Sequence, residues 1–228
     1  MNGAAGDLEE RHGTCRVVWS KRIAKMTETD SRVDHVGLGL TNCQQSTTTT
    51  LLPRYQTRKP LAMTNAQLAV ARINAARSYT WTLLEDLSED DWFFVPSQVQ
   101  THIAWQVGHL AMAEYRVALE RVRGPQPEDR EMISKEFLRL FGKGTAPEVD
   151  RGRYPTPAEI RDTFDRVHER LQQDIPTCSD ALLDEKFSVP HPAFSTKLGA
   201  LYFVAEHEML HAGQIGLIRR MSGKPPLR

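Results

Sequence analysis

The sequence predicts an all-α protein, an antiparallel four-helix bundle preceded by a largely disordered N-terminal extension. Three observations lead there. Four stretches of helical apolar periodicity follow one another, at 65–87, 101–123, 157–174 and 195–221. Most of them carry their own start or stop signals, and strand-like alternation is scarce between them. With 228 residues, 40% of them hydrophobic, the chain is long enough to bury a full core without disulfide or metal staples.

Residues 1–62 read differently from the rest. They hold Thr47 to Thr50 as a threonine run, a basic stretch ending Arg58-Lys59-Pro60, and no sustained period. Nine basic against six acidic residues give this segment +3, leaving −3 for the remainder of a chain that is neutral overall. A short helix over 8–26 would not sort its polar residues onto one face. The composition fits an extension that does not fold, and Met63 stands just before the first good helix, as an upstream extension of a 63–228 domain would place it. Thr64 or Asn65 serves as N-cap of that helix, and the acidic run from Ser88 to Pro96 breaks it. The second helix stops at Gly124-Pro125. About 30 irregular residues follow, long for a bundle loop. The third helix opens with Thr156 as cap, Pro157 in the first turn and Glu159 closing a capping box. Another irregular stretch, Val189 to Pro192, precedes the fourth helix, which ends at Ser222-Gly223 before Pro225.

Composition also excludes function classes. With 29 basic and 29 acidic residues there is no net positive charge to grip phosphate backbones, so no nucleic-acid partner is expected. No stretch approaches the about 20 apolar residues of a membrane span, and the N-terminus lacks the apolar core of a signal peptide. Three scattered cysteines make no disulfide framework. The expectation is a cytoplasmic protein acting on a small molecule.

The chemistry concentrates on the fourth helix, where Ala205-Glu-His-Glu-Met-Leu-His-Ala-Gly-Gln-Ile215 places His207 and His211 four residues apart. At 100° per residue the two imidazoles stack on one face and can share a metal ion. On the helical wheel Ala200, Phe203, Val204, Leu210, Gln214, Leu217, Ile218 and Met221 cluster around His207, so the pair is read as centred on the core-facing stripe. Eight histidines give roughly 0.25 such pairs by chance, so spacing alone decides little. Two buried imidazoles, however, need polar partners or a metal. A third ligand has to come from another helix. The second offers His109, deep in an apolar run beside Gly108, and His102 at the helix start. His109 is the candidate ligand; His102 is held in reserve, lining the mouth of the site.

Gly108-His109-Leu110 together with His207-xxx-His211-x-Gly213-Gln214-Ile215 resembles the DinB-like metalloprotein superfamily, from Met63 to the C-terminus. The resemblance implies a divalent metal (Zn, Ni or Fe) held by His109, His207 and His211. Among its characterised relatives are thiol-dependent S-transferases and a mycothiol-dependent isomerase, which implies a low-molecular-weight thiol as a second cofactor. Residues 1–62 have no counterpart in that pattern.

The same letters also spell H-E-x-x-H, with Glu208 in the place of a zincin protease's general base. No Asp, Glu or His follows His211, so a further zincin ligand is missing. Three neutral histidines would leave a coordination position open for a water or thiolate. The expected function is therefore a metal-dependent enzyme, a thiol S-transferase or hydrolase; the alternative is a non-catalytic metal-binding module for stress response or interaction. Gln214 and Glu208 are candidates to hydrogen-bond a ligand or a metal-bound water. The catalytic residues themselves are not legible. Cys178 reads as an inert loop thiol, and Arg116 as a salt-bridge partner that also points the way of His109. Trp92, Phe93, Phe94 and Trp105 read as packing. A strip of Ala205, Met209, Ala212, Gly213 and Gly216, opposite His207, suggests a homodimer face.

Overall fold

Residues 63–227 are described by the computed structural model; the extension expected over residues 1–62 lies outside them. The first helix, α1 (Asn65–Leu84), starts at Thr64, whose hydroxyl accepts from the Gln67 amide while Gln67 returns a bond to the Thr64 backbone. Ser88 and Asp91 form the same reciprocal cap for a single-turn helix, α2 (Glu89–Trp92), inside the predicted break. The second long helix is α3 (Ile103–Glu114), and it continues as a π-helical segment, Tyr115–Arg123. Gly124 ends that segment at φ 99°, with its amide donating to the Leu119 carbonyl five residues back. Only glycine adopts that backbone without strain.

The 30 residues expected to be irregular are in part ordered as α4 (Asp129–Met132), α5 (Lys135–Leu140) and a 3₁₀ turn at Arg151–Arg153. Next come α6 (Pro157–Asp174), with the predicted Thr156/Glu159 box, and the short α7 (Asp180–Leu183). A second correction falls on Val189 to Pro192. That region belongs to an antiparallel hairpin, β1 (Lys186–His191) with β2 (Phe194–Thr196). Phe187 and Phe194 meet across it at 5.7 Å, and the Arg121 guanidinium covers Phe187 at 4.6 Å. Aromatic pairing of this kind lets a short hairpin hold beside a helical core. The last helix, α8 (Lys197–Met221), begins at Thr196 directly after β2.

The four long helices form the bundle. Helix α8 packs along α1 and along α3 with its π-helical continuation, and α3 packs on α6. Ile73, Leu84, Ile103, Val107, Leu119, Phe164, Leu171 and Ile215 fill the centre, all essentially inaccessible. The face that α8 buries is rotated from the predicted stripe. Leu201, Ala205, Glu208, Ala212, Ile215 and Arg219 are buried, whereas Leu210 and Leu217 are 67% and 43% exposed. The strip read as a dimer face is thus partly internal: Ala205 and Ala212 are buried, and Gly216 lies against the Leu83 side chain of α1. No described helix is long and apolar enough to cross a membrane.

Candidate metal centre

His109 sits in the middle of α3, 9% exposed, where Gly108 lets the chain approach α5. A Cβ on Gly108 would lie 2.4 Å from the Phe141 ring. That close approach sets the orientation of the His109 ring, because the Phe141 carbonyl is 2.9 Å from His109 Nδ1. A carbonyl only accepts, so Nδ1 carries the proton and Nε2 keeps its lone pair for a metal. On the other face the Trp105 indole stacks on the imidazole at 4.7 Å and 13°.

His207 and His211 meet His109 from α8. Their Nε2 atoms are 3.2 Å apart, and one nitrogen from each of the three rings falls within 4.8 Å of the others. Two nitrogens held about 2.0–2.1 Å from one ion at a tetrahedral angle stand about 3.3 Å apart, so the spacing fits a shared cation. His211 Nδ1 donates to Gln106 Oε1, and the Gln106 amide in turn donates to Thr101 Oγ1 at 3.0 Å. That chain fixes the amide and the tautomer together, leaving His211 Nε2 unprotonated. Burial, followed by the neighbouring histidines, lowers His207 to about 4 and His211 to about 3. His109 is lowered by burial as well, against the Phe141 hydrogen bond. All three rings are neutral at pH 7, the state that ligates metal.

Other expected residues land elsewhere. His102 is the N-cap of α3: its Nδ1 accepts from the Trp105 amide at 3.1 Å, and its Nε2 lies 3.2 Å from the Glu148 carbonyl. It stays outside the cluster. Gln214 is exposed and makes no hydrogen bond to the three rings; Gln106 takes the role expected of it. The sequence signal for Gln106 was a polar residue buried in an apolar helix one turn before His109. Arg116 is about half exposed and pairs with Glu120 at 3.0 Å. Cys178 is half-buried, and burial raises its pKa, as an inert thiol requires.

Glu208 points away from the histidines. It is 2% exposed, and Arg77 of α1 holds both of its oxygens, at 2.9 and 3.3 Å. The same guanidinium reaches Glu114 at 2.5 Å and the Phe164 carbonyl at 3.0 Å, and His168 Nδ1 lies 2.8 Å from Glu114. Each long helix thus contributes one side chain to a polar knot at the bundle centre. Burial raises Glu208 despite Arg77; Glu114 is driven up by burial too but ends lower, because His168 joins Arg77 beside it. A carboxylate engaged in this way cannot act as a zincin base on the metal face, so the H-E-x-x-H reading fails on geometry as well as on its missing ligand. A cavity of about 10 Å³, room for one water, lies between this knot and His207, walled by Leu110, Val117 and Phe203.

A family model described as the DinB superfamily matches residues 72–215. No curated protein matches the chain. Among solved structures, a conserved protein from Enterococcus faecalis superposes with a TM-score of 0.57 at 15% identity, over 72% of this chain and 100% of that one. At that identity the likeness concerns the fold alone.

Proposed function

The chain belongs to the DinB superfamily, and from that premise we propose that it is a metal-dependent enzyme with His109, His207 and His211 as its metal ligands. The carrying observation is the convergence of three neutral imidazoles, one nitrogen from each lying within 4.8 Å of the others. Phe141 and Gln106 prepare two of those nitrogens by holding the proton on the far side of the ring. Imidazole donors suit a divalent ion such as Zn, Ni or Fe. When bound, that ion would lower the pKa of a thiol or water beside it, giving a nucleophile at neutral pH. His207 and His211 are half-buried rather than sealed, so a small reactant can reach the ligand cluster. A low-molecular-weight thiol in an S-transfer reaction is the first candidate nucleophile; water in a hydrolysis is the second.

Metal analysis of the purified protein tests this reading. One equivalent of metal should be bound at neutral pH, and alanine at His109, His207 or His211 should each remove it. His102→Ala should keep the metal while losing the helix cap, about 1 kcal/mol, together with the buried ring's contacts to Glu148, Phe93 and Tyr154. A folded protein that takes up no metal would sink the proposal. Stoichiometric metal that no thiol or water can exchange onto would favour the non-catalytic module instead.

A further inference from the structure

Two of the three imidazoles have a protein partner for their second nitrogen, and His207 has none. The Phe141 carbonyl receives the His109 Nδ1 proton, and Gln106 receives that of His211. His207 turns Nε2 toward His211 Nε2, 3.2 Å away. Its ring is held between Phe203 at 5.3 Å and the His109 and His211 rings at 5.3 and 4.5 Å. The two nitrogens of an imidazole point in widely divergent directions, so with Nε2 in the cluster Nδ1 faces out of it. Among the described residues no protein group hydrogen-bonds that nitrogen. Once Nε2 gives its lone pair to a metal, a neutral His207 must carry its proton on Nδ1, and a buried donor is costly to leave without an acceptor.

The cavity of about 10 Å³ lies where that acceptor is needed. His207 shares its wall with Glu114 and Glu208, the two carboxylates of the polar knot, and the other lining side chains are apolar. A water in such a space needs two to four polar partners, and these three side chains offer them. Both carboxylates keep lone pairs for a further donor: Glu114 accepts from Arg77 and His168 with one oxygen each, and Glu208 accepts from Arg77 with both.

We propose that one buried water occupies this cavity, accepting from His207 Nδ1 and donating to Glu114 and Glu208. The two carboxylates are then positioning residues, which act through the water to fix the His207 ring and raise its basicity toward the metal, as direct partners of ligating histidines do. The proposal rests on the metal site above and gives each ligand its own proton acceptor: a carbonyl for His109, an amide for His211 and a water for His207. It also ties ligand orientation to the bundle centre, because Arg77 joins both carboxylates across α1, α3 and α8.

Zinc-loaded protein with nitrogen-15-labelled histidine tests this by NMR. In wild type the His207 Nδ1 proton should exchange slowly and show a cross-peak to a long-lived water. Val204→Ile and Ala113→Val add methyl volume to opposite walls of the cavity and leave every polar group of the knot in place. Each should abolish that cross-peak and weaken zinc binding about 10-fold. Val122→Ile, the same added methyl at a buried position outside the cavity wall, should do neither. The wild-type spectrum decides even where a variant fails to fold: an Nδ1 proton that exchanges as freely as that of an exposed histidine, with no water cross-peak, would overturn the bridge and leave the metal site standing. A cross-peak that survives both fillers, or zinc affinity unchanged once the cross-peak is lost, would overturn it as well. No zinc uptake at neutral pH would overturn both the bridge and the metal site.

Discussion

Replacing Arg77 by methionine should destabilise the protein more than almost any other single change in the core. The guanidinium is 3% exposed and serves two carboxylates, Glu114 and Glu208, each 2% exposed. Methionine fills much of the same volume without supplying a donor. Removing one partner of a buried ion pair costs about 3–5 kcal/mol, because the other charge stays buried and unpaired. His168 can relieve only Glu114, so the cost should fall within that range, a drop in melting temperature of about 8–15 °C at this size. The pH dependence gives the mechanism away. Without Arg77 the folded-state pKa of Glu114 climbs above its unfolded value, about 4.3, and that of Glu208, which burial already raises, climbs further. Between pH 7 and pH 5 the native variant then holds a proton that the unfolded chain lacks, so its deficit against wild type shrinks as pH falls. Guanidinium denaturation at pH 7 and pH 5 measures both effects. A loss below about 1 kcal/mol, or a deficit that grows on acidification, would refute the account of this knot.

Three further outcomes follow from the site. Gly108→Ala drives a methyl into the Phe141 ring, which Phe137 confines at 4.5 Å; we expect about 1–3 kcal/mol of overpacking and weakened metal binding, and unchanged affinity in a metal titration would contradict the link from Phe141 to His109. Gln106→Ala should weaken metal binding about 10–100-fold by freeing the His211 ring, with Gln214→Ala as a silent control in the same titration. Burial holds His207 at about 4 and His211 at about 3, so metal should survive dialysis at pH 5.5, and complete release at pH 6 would contradict the buried geometry. The same depression means that the unfolded chain takes up more protons below about 6.5, so metal-free stability should be full above that pH and decline toward pH 4; acid titration of the metal-free melting temperature checks the sign.

Local chemistry made much of this protein legible from its sequence. The Thr156–Glu159 capping box, the Gly124 stop and the four-residue spacing of His207 and His211 depend on neighbours along one helix, and each holds in the structure. His109 was legible for a related reason: a histidine beside glycine in an apolar helix has few places to put its ring. Tertiary packing decided the rest. Which face of α8 turns inward was misjudged because apolar residues surround that helix, so hydropathy names no single direction. The direction is set by contact with both α1 and α3 and by the charge pairing of Glu208 with Arg77, 131 positions away. The partners that orient His109 and His211 were harder to read: the Phe141 backbone carbonyl carries no sequence signal, and a polar residue one turn before His109 in an apolar helix, as Gln106 is, has many uses. Spacing along a helix is encoded within a few residues, whereas a buried polar partner is chosen by whichever groups the folded chain brings within 3 Å.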